Sequence, residues 1–431
     1  MPDFFNIMRL KGFPVDKARK QLDIIHQSNN LLEWQEGQKW NIFKYHFNKH
    51  SFYHSFISNI PKKWEDIRII TKSDLRPNIP LPTFPQSLFN QLYIQQTSGS
   101  SGQPFSYSID YLSHAITWLL VENRYNTANI SINDRQARFY GSPISKIDKQ
   151  REHLKDFLAK RYRFPIMDLS DLALDKWLNN LQKKHYKYLY GYSYPLITFA
   201  HYLIRENKVL KNICPTISSC IVTSEMCSPE DQKIIEQGFG IPCFNEYGAS
   251  EFGIIGFGQS NRWRISDETI FLEIVDEKGK QVKEGEMGKV VCTSLHNTGT
   301  PFIRYEIGDL ARMVTVNNQR YITELSGRVE AMAVLPSGKK APGDTAFYYI
   351  MKSFTEKHKF ISEYRAIQKT PGLFILEIVA DQSLSLKAIK TLNLIAESYL
   401  EKEIQIDVTR VKSIERTAKG KLQRFIPIST E

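Results

Sequence analysis

QLYIQQTSGSSGQPFSYSID, residues 91–110, is the stretch on which the fold turns. Leu92 and Ile94 alternate with Tyr93 and Gln95, and Phe105, Tyr107 and Ile109 alternate with Ser106 and Ser108. That period of two predicts a strand on each side of a loop. The loop, Thr97-Ser98-Gly99-Ser100-Ser101-Gly102-Gln103-Pro104, is made of hydroxyls and glycines. It is not the common phosphate loop, in which GxxxxGK[ST] runs from a strand into a helix so that the helix N-terminus meets the phosphate. Here a strand follows the loop and no lysine follows Gly102. The residue types still suit an anion. Thr97, Ser98, Ser100 and Ser101 offer hydroxyl donors, and Gly99 and Gly102 let backbone N–H groups approach closely. Taken alone, the same letters also describe a flexible Ser/Gly hairpin loop.

Outward from this hairpin the chain alternates between helix and strand. Residues 1–90 carry apolar helix-like patches, closed by a loop at Pro77, Pro80, Pro82 and Pro85. Helical spacing runs from Tyr111 to about Ala128, and residues 147–164 form a charged helix candidate. Strands are expected at 187–192, 218–225 and 243–248, with a helix at 230–240. From 270 to 325 the chain reads as successive strands with turns at Lys278-Gly279 and Asn317-Asn318. This is α/β layering. The last hundred residues form a small α+β unit: strands at 364–368 and 373–380 around Thr370-Pro371-Gly372, a helix over 384–403, a strand at 404–411 and a basic tail. The domains are therefore expected at 1–329 and 330–431, the second small and mobile.

Composition excludes other classes. The 431 residues are 42% hydrophobic and 24% charged, ordinary soluble usage, which removes disordered and fibrous chains. Lys plus Arg exceed Asp plus Glu by 57 − 46 = 11. A basic balance fits anionic ligands such as nucleotides, but the lysines are scattered beside acidic residues and no nucleic-acid motif is present. The five cysteines have no CxxC pair, and the spacing of Cys214, Cys220 and Cys227 suits neither a zinc finger nor a ribbon. They read as small core residues in a reducing compartment. No apolar run is long enough to span a membrane, and MPDFFNIMRLKGF lacks the apolar core of a signal peptide. A cytoplasmic protein is expected.

Four further stretches accompany the hydroxyl/glycine loop: Asn245-Glu246-Tyr247-Gly248-Ala249-Ser250-Glu251-Phe252-Gly253; Arg304-Tyr305-Glu306-Ile307-Gly308-Asp309-Leu310; Ser326-Gly327-Arg328-Val329-Glu330; and Glu415-Arg416-Thr417-Ala418-Lys419-Gly420-Lys421-Leu422-Gln423-Arg424. Singly they read as a strand-end turn, a surface turn, another turn and a solvated basic tail. In this order they resemble the signature motifs of the adenylate-forming enzymes, the acyl-CoA ligases and adenylation domains. The compact length and RYEIGDL look most like the phenylacetate–CoA ligase branch, which includes relatives associated with capsular-polysaccharide genes.

The resemblance implies a reaction. A carboxylate attacks the α-phosphate of ATP, giving an acyl adenylate and pyrophosphate, and a thiol then takes the acyl group. It implies roles as well: Thr97 to Gly102 close over the β- and γ-phosphates, Glu251 holds Mg²⁺, and Tyr247 and Gly248 border adenine and acyl group. Thr223-Ser224-Glu225 matches the adenine-side strand end, Asp309 accepts from both ribose hydroxyls, and Arg328 lies near ribose and phosphates. Lys421 reaches the substrate carboxylate and α-phosphate, and Glu330 is the hinge. Tyr140-Gly141 and Tyr190-Gly191 are candidate acyl-pocket segments, equally readable as core packing.

Three departures touch no group with an assigned chemical role: Gln103 stands where lysine is common, Ala331 where a second acidic residue is frequent, and Glu415 where proline is frequent. More consequential is the segment after the hinge. Related CoA ligases carry a glycine-rich loop there, whereas Pro336-Ser337-Gly338-Lys339-Lys340 reads as a turn. Adenylation is therefore better supported than transfer to coenzyme A. A carrier-protein thiol, or an amine such as an amino sugar, is the alternative acceptor. A non-catalytic nucleotide-binding protein is the alternative class, and the retention of Lys421, Glu251 and Asp309 argues against it.

Overall fold

Leu92–Gln96 (β1) and Ser106–Asp110 (β2) pair antiparallel, Leu92 opposite Asp110 and Gln96 opposite Ser106, as the alternation predicts. They belong to a computed structural model that describes residues 3–28, 30–75, 92–96, 106–140, 146–166, 168–328, 332–355, 358, 360–415 and 422–428. Ahead of the hairpin lie helices α1 (Phe4–Leu10), α2 (Val15–Gln27), α3 (Leu31–Lys49), α4 (Ser51–Ile57) and α5 (Lys72–Leu75). Behind it α6 (Tyr111–Thr127) starts at once, because the Asp110 carboxylate accepts from Ser113 N at 2.9 Å and caps the helix.

Next come β3 (Gln136–Phe139), α7 (Lys146–Leu158), β4 (Arg161–Arg163), α8 (Asp171–Lys183), β5 (Tyr188–Tyr192), α9 (Ser193–Arg205), α10 (Leu210–Ile213) and β6 (Ser219–Thr223). They are followed by α11 (Pro229–Phe239), β7 (Cys243–Ala249), β8 (Gly253–Gln259), β9 (Arg262–Ile265), β10 (Ile270–Val275), β11 (Gly288–Ser294), β12 (Tyr305–Val316) and β13 (Gln319–Arg328). Among the described residues these strands form one sheet in the order β10-β11-β12-β13-β9-β8-β7-β6-β5-β3-β4. The run from β7 to β4 is parallel, and β7–β8, β8–β9, β9–β13 and β10–β11 are antiparallel.

The parallel strands are covered on both sides, and their period of two sorts residues between two cores. Ala137, Phe139, Leu189, Cys220, Val222 and Cys243 pack with Trp177, Phe199 and Phe239 of α8, α9 and α11. Tyr188 and Ile221, on the opposite face, pack with Ile116, Leu120 and Tyr125 of α6 and with Phe5 and Leu22 of α1 and α2. All five cysteines are buried, four of them in the first of these cores. No described helix is long and apolar enough to cross a membrane.

The chain divides into two compact units, residues 1–307 with 311–324, and 308–310 with 325–431. The second unit contains β14 (Met332–Val334), β15 (Lys340–Pro342), α12 (Gly343–Thr355), β16 (Ile361–Thr370), β17 (Leu373–Ala380), α13 (Leu386–Tyr399), β18 (Gln405–Arg410) and β19 (Phe425–Ile426). Its sheet order is β18-β17-β16-β19, over a core that includes Phe347, Phe374, Leu392, Ile406 and Phe425. The segment after the expected hinge is a β-hairpin: Leu335 N donates to Lys339 O at 2.8 Å and closes the turn between β14 and β15.

Several elements differ from expectation. The helix expected over 147–164 stops at Leu158. Lys160 takes a left-handed conformation (φ 53°), and residues 161–163 become an edge strand beside β3. RYEIGDL, readable as a surface turn, lies in the long strand β12 from Tyr305 onward. The helix expected over 384–403 is confined to Leu386–Tyr399, with Ser385 accepting from Ala388 N as its cap. Helices α8, α9 and α12 were not anticipated.

Candidate active site

Under α6, the first unit encloses a cavity of about 380 Å³. Its floor is the sheet face carrying Gln136, Arg138 and Tyr140 along and just beyond β3, Tyr188 and Tyr190 on β5, and Glu246 and Gly248 on β7. The register puts these residues side by side: Gln136 is opposite Tyr188, Arg138 opposite Tyr190, and Thr223 opposite Glu246. The roof is one face of α6, with Ser113, His114, Thr117, Trp118, Val121 and Tyr125 at helical spacing.

Glu251 reaches the cavity on the turn between β7 and β8. A bulge at Tyr247/Gly248 bends β7 there, and a Cβ on Gly248 would stand 2.6 Å from the Gly253 carbonyl, so only glycine fits. The Tyr107 hydroxyl lies between Gln95 Oε1 (2.7 Å) and the Ser250 carbonyl, which ties the β1–β2 hairpin to this turn. The Tyr305 hydroxyl donates to Glu251 Oε1 at 3.2 Å.

Deeper in the cavity stands a polar cluster. Glu246 accepts from the hydroxyls of Tyr190 (2.7 Å) and Tyr125 (3.2 Å). Burial pushes its carboxyl above the ordinary range, and the Tyr190 and Tyr125 hydrogen bonds oppose that rise. The same burial, with the Glu246 charge beside them, raises both tyrosine hydroxyls well above their usual value. The Arg138 guanidinium lies over the rings of Tyr140 (4.4 Å) and Tyr190 (5.1 Å) and donates to Gln136 Oε1 at 3.1 Å. In the roof, burial lowers His114 to about 4, so it is neutral and accepts from Trp118 Nε1 at 3.0 Å.

Of the residues singled out from sequence, Ser224, Gly248, Glu251, Tyr140 and Tyr190 meet in this cavity. Ser224 has φ 66° at the end of β6, with its hydroxyl 3.4 Å from that of Tyr140. Glu225, Tyr247 and Gly191 are not among its lining residues. The Glu225 carboxylate instead accepts from Tyr194 N at 3.0 Å in the first turn of α9. Gly191 serves packing, since a Cβ there would stand 2.5 Å from the Phe139 carbonyl. Asp309 lies on β12 and Arg328 ends β13, where its side chain is not described. Thr97, Ser98, Gly99, Ser100, Ser101, Gly102, Gly141, Glu330 and Lys421 fall outside the described residues.

Sequence reasoning missed Glu246, Arg138 and Arg161. The alternation of Gln136, Arg138 and Tyr140 with Ala137 and Phe139 was the available signal for the second of these. Reading 147–164 as one helix concealed Arg161.

No family model matches the chain. In sequence it is 30% identical over 125 residues to a phenylacetate-coenzyme A ligase of Pseudomonas putida, covering 27% of this chain and 28% of that one. It is 24% identical over 287 residues to the phenylacetate-coenzyme A ligase of Escherichia coli K12, covering 62% and 61%. The matches thus span less than two thirds of these relatives' lengths. In fold it is similar to 2-hydroxyisobutyryl-CoA ligase in the postadenylation state with R3-HIB-AMP. The TM-score is 0.69 at 17% identity, over 94% of this chain and 91% of that one. The chain is thus similar in sequence to phenylacetate-coenzyme A ligases and in fold to a 2-hydroxyisobutyryl-CoA ligase.

Proposed function

We propose that this chain is an AMP-forming acid–thiol ligase. It joins a carboxylic acid to the α-phosphate of ATP, releases pyrophosphate, and passes the acyl group to a thiol. The observation that carries this reading is the single cavity wall on which Ser224, Gly248 and Glu251 stand beside Tyr140 and Tyr190. These residues are spread over 111 positions of the chain, from Tyr140 to Glu251, and they are the ones that the family's motifs assign to nucleotide and acyl group.

In this reading the hydroxyl/glycine loop Thr97–Gly102 cradles the β- and γ-phosphates, and Asp309 holds the ribose. Arg328 and Lys421 place fixed cations against charge that builds during the attack. The donor chemistry at Glu251 fits a magnesium ion. Its carboxylate is a hard oxygen ligand lining the cavity, and Oε1 is oriented by Tyr305. Magnesium there would neutralise phosphate charge. Glu330 is the pivot on which the part of the chain that follows it would carry Lys421 away before transfer.

Coenzyme A is the acceptor that the relatives support, as both sequence relatives and the structural neighbour are CoA ligases. The departure at Pro336–Lys340 is accommodated as a short hairpin turn with Lys339 and Lys340 exposed, able to meet phosphate charge. ATP–pyrophosphate exchange over a panel of acids, followed by mass spectrometry with coenzyme A, amino-sugar and carrier-protein acceptors, tests the reading. Acid-dependent exchange and an acyl-CoA product are expected. Exchange without acyl-CoA, with an amide or a carrier-bound acyl group instead, would replace the acceptor.

A further inference from the structure

Two guanidinium groups, Arg138 and Arg161, line the deep end of the cavity. Arg161 begins β4 directly opposite Gln136, on the face that also carries Arg138, and lines the cavity. Among the described residues its side chain makes no ion pair and no hydrogen bond. The nearby acid Asp156 is already paired with Arg163 at 2.9 Å. Glu246 receives two tyrosine hydroxyls and stands with Arg138, the cation that opposes its burial. Asp156, the acid whose charge reaches Arg161, thus makes its direct ion pair with Arg163 instead. Burial, then repulsion from Arg138, weakens the hold of Arg161 on its proton. Arg161 is half-buried, and a partly desolvated cation with no direct ion pair in a ligand cavity recovers part of its desolvation cost when an anion binds.

We propose that Arg161, supported by Arg138, is a specificity-determining subsite for a second anionic group on the acid substrate, so that the preferred substrate class is dicarboxylic acids. The proposal rests on the adenylation reading, which puts the reacting carboxylate near Ser224, Gly248 and Glu251. The register then fixes the scale. Gln136, Tyr188 and Arg161 share the N-terminal level of the parallel strands, and Tyr192 and Thr223 share the C-terminal level four residues on. At about 3.3 Å per residue the two levels are about 13 Å apart along the strands, and β4 stands three strands, about 14 Å, from β6 across the sheet, so the Arg161 side chain and the spacer together bridge that diagonal. Between them the tyrosine-lined floor offers flat surfaces and hydroxyls, suited to a short linear or aromatic spacer.

The test compares dicarboxylic acids with monocarboxylic acids of the same length whose far carboxylate is replaced by methyl. Wild type, Arg161→Met and Arg161→Lys are measured for acid-dependent pyrophosphate exchange and, separately, for binding of the same acids without ATP by thermal shift. Wild type is expected to favour the dicarboxylic acid by about 10²-fold in kcat/KM, the scale of one buried charge-assisted interaction. Arg161→Met should collapse that ratio towards one, and Arg161→Lys should retain part of it. Wild type favouring the monocarboxylic acid, or an unchanged ratio in Arg161→Met, would overturn the subsite. If Arg161→Met fails to fold, the wild-type ratio and the Lys variant still decide. If no acid supports exchange, the adenylation reading fails. The binding comparison still decides the subsite, with selective dicarboxylate stabilisation lost in the variants supporting it and equal shifts for both acids refuting it.

Discussion

Lys421 and Asp309 make separable demands on the same nucleotide. A cation used mainly as charge moves during the attack lowers the barrier rather than the dissociation constant. Lys421→Ala is therefore expected to slow adenylation by about 10²–10³-fold while calorimetric ATP affinity changes far less. Transfer from a preformed acyl adenylate should survive better, and equal loss in both half-reactions would contradict the role. A ribose-binding carboxylate acts in the ground state. Asp309→Ala should weaken ATP binding by about 10- to 150-fold, the worth of a charge-assisted hydrogen bond. Undiminished affinity in a folded variant would remove Asp309 from the site. Glu246 is a different case at this scale. Its importance was not legible in the sequence, because the tyrosines that hold it are 56 and 121 positions away and nothing local marks a carboxylate as buried.

At the scale of elements, the floor of the cavity depends on how closely β3 and β5 approach. Gly191→Ala would push a methyl group to 2.5 Å from the Phe139 carbonyl, so the strands must part. Urea denaturation should record a loss of about 1–3 kcal/mol, the usual cost of overpacking. Helix α3 holds the β2–α6 junction through His46, whose Nε2–H donates to Asn297 O at 2.8 Å, while Asn297 Oδ1 accepts from Asp110 N at 3.2 Å. Burial, aided by the charge of His50, lowers His46 from 6.5 to about 3. The unfolded chain takes up this proton below about pH 6.5 and the folded chain resists. Its contribution is thus fully present above pH 6.5 and is lost as pH falls towards 3, up to about 5 kcal/mol. His46→Gln should flatten the dependence of stability on pH between 6.5 and 4, and an unchanged slope would place the acid sensitivity elsewhere. The β1–β2 hairpin was readable from the alternation within each strand, although the register sets Leu92 and Ile94 opposite Asp110 and Ser108, so the apolar sets of the two strands lie on opposite faces. The end of α7 was not, because the break falls on Lys160, a non-glycine residue whose left-handed conformation has no sequence marker.

On the scale of the whole molecule, the layered α/β order and the small α+β unit after it were legible from periodicity and turn chemistry alone. The unread helices α8, α9 and α12 fill spaces that the strand pattern had left open. The site was legible in part. The motif around Glu251 and the end of β6 converge on one cavity with Tyr140 and Tyr190, while the polar cluster at its deep end emerged only from strand register. The central claim is that this cavity serves acid activation by ATP. Acid-dependent ATP–pyrophosphate exchange, measured side by side on wild type and Lys421→Ala with both variants shown to bind ATP, tests it most directly. The account predicts exchange that requires an acid and falls by about 10²–10³-fold in the variant. Wild-type protein that binds ATP but exchanges no pyrophosphate with any acid, or exchange that is unaffected in Lys421→Ala, would contradict it.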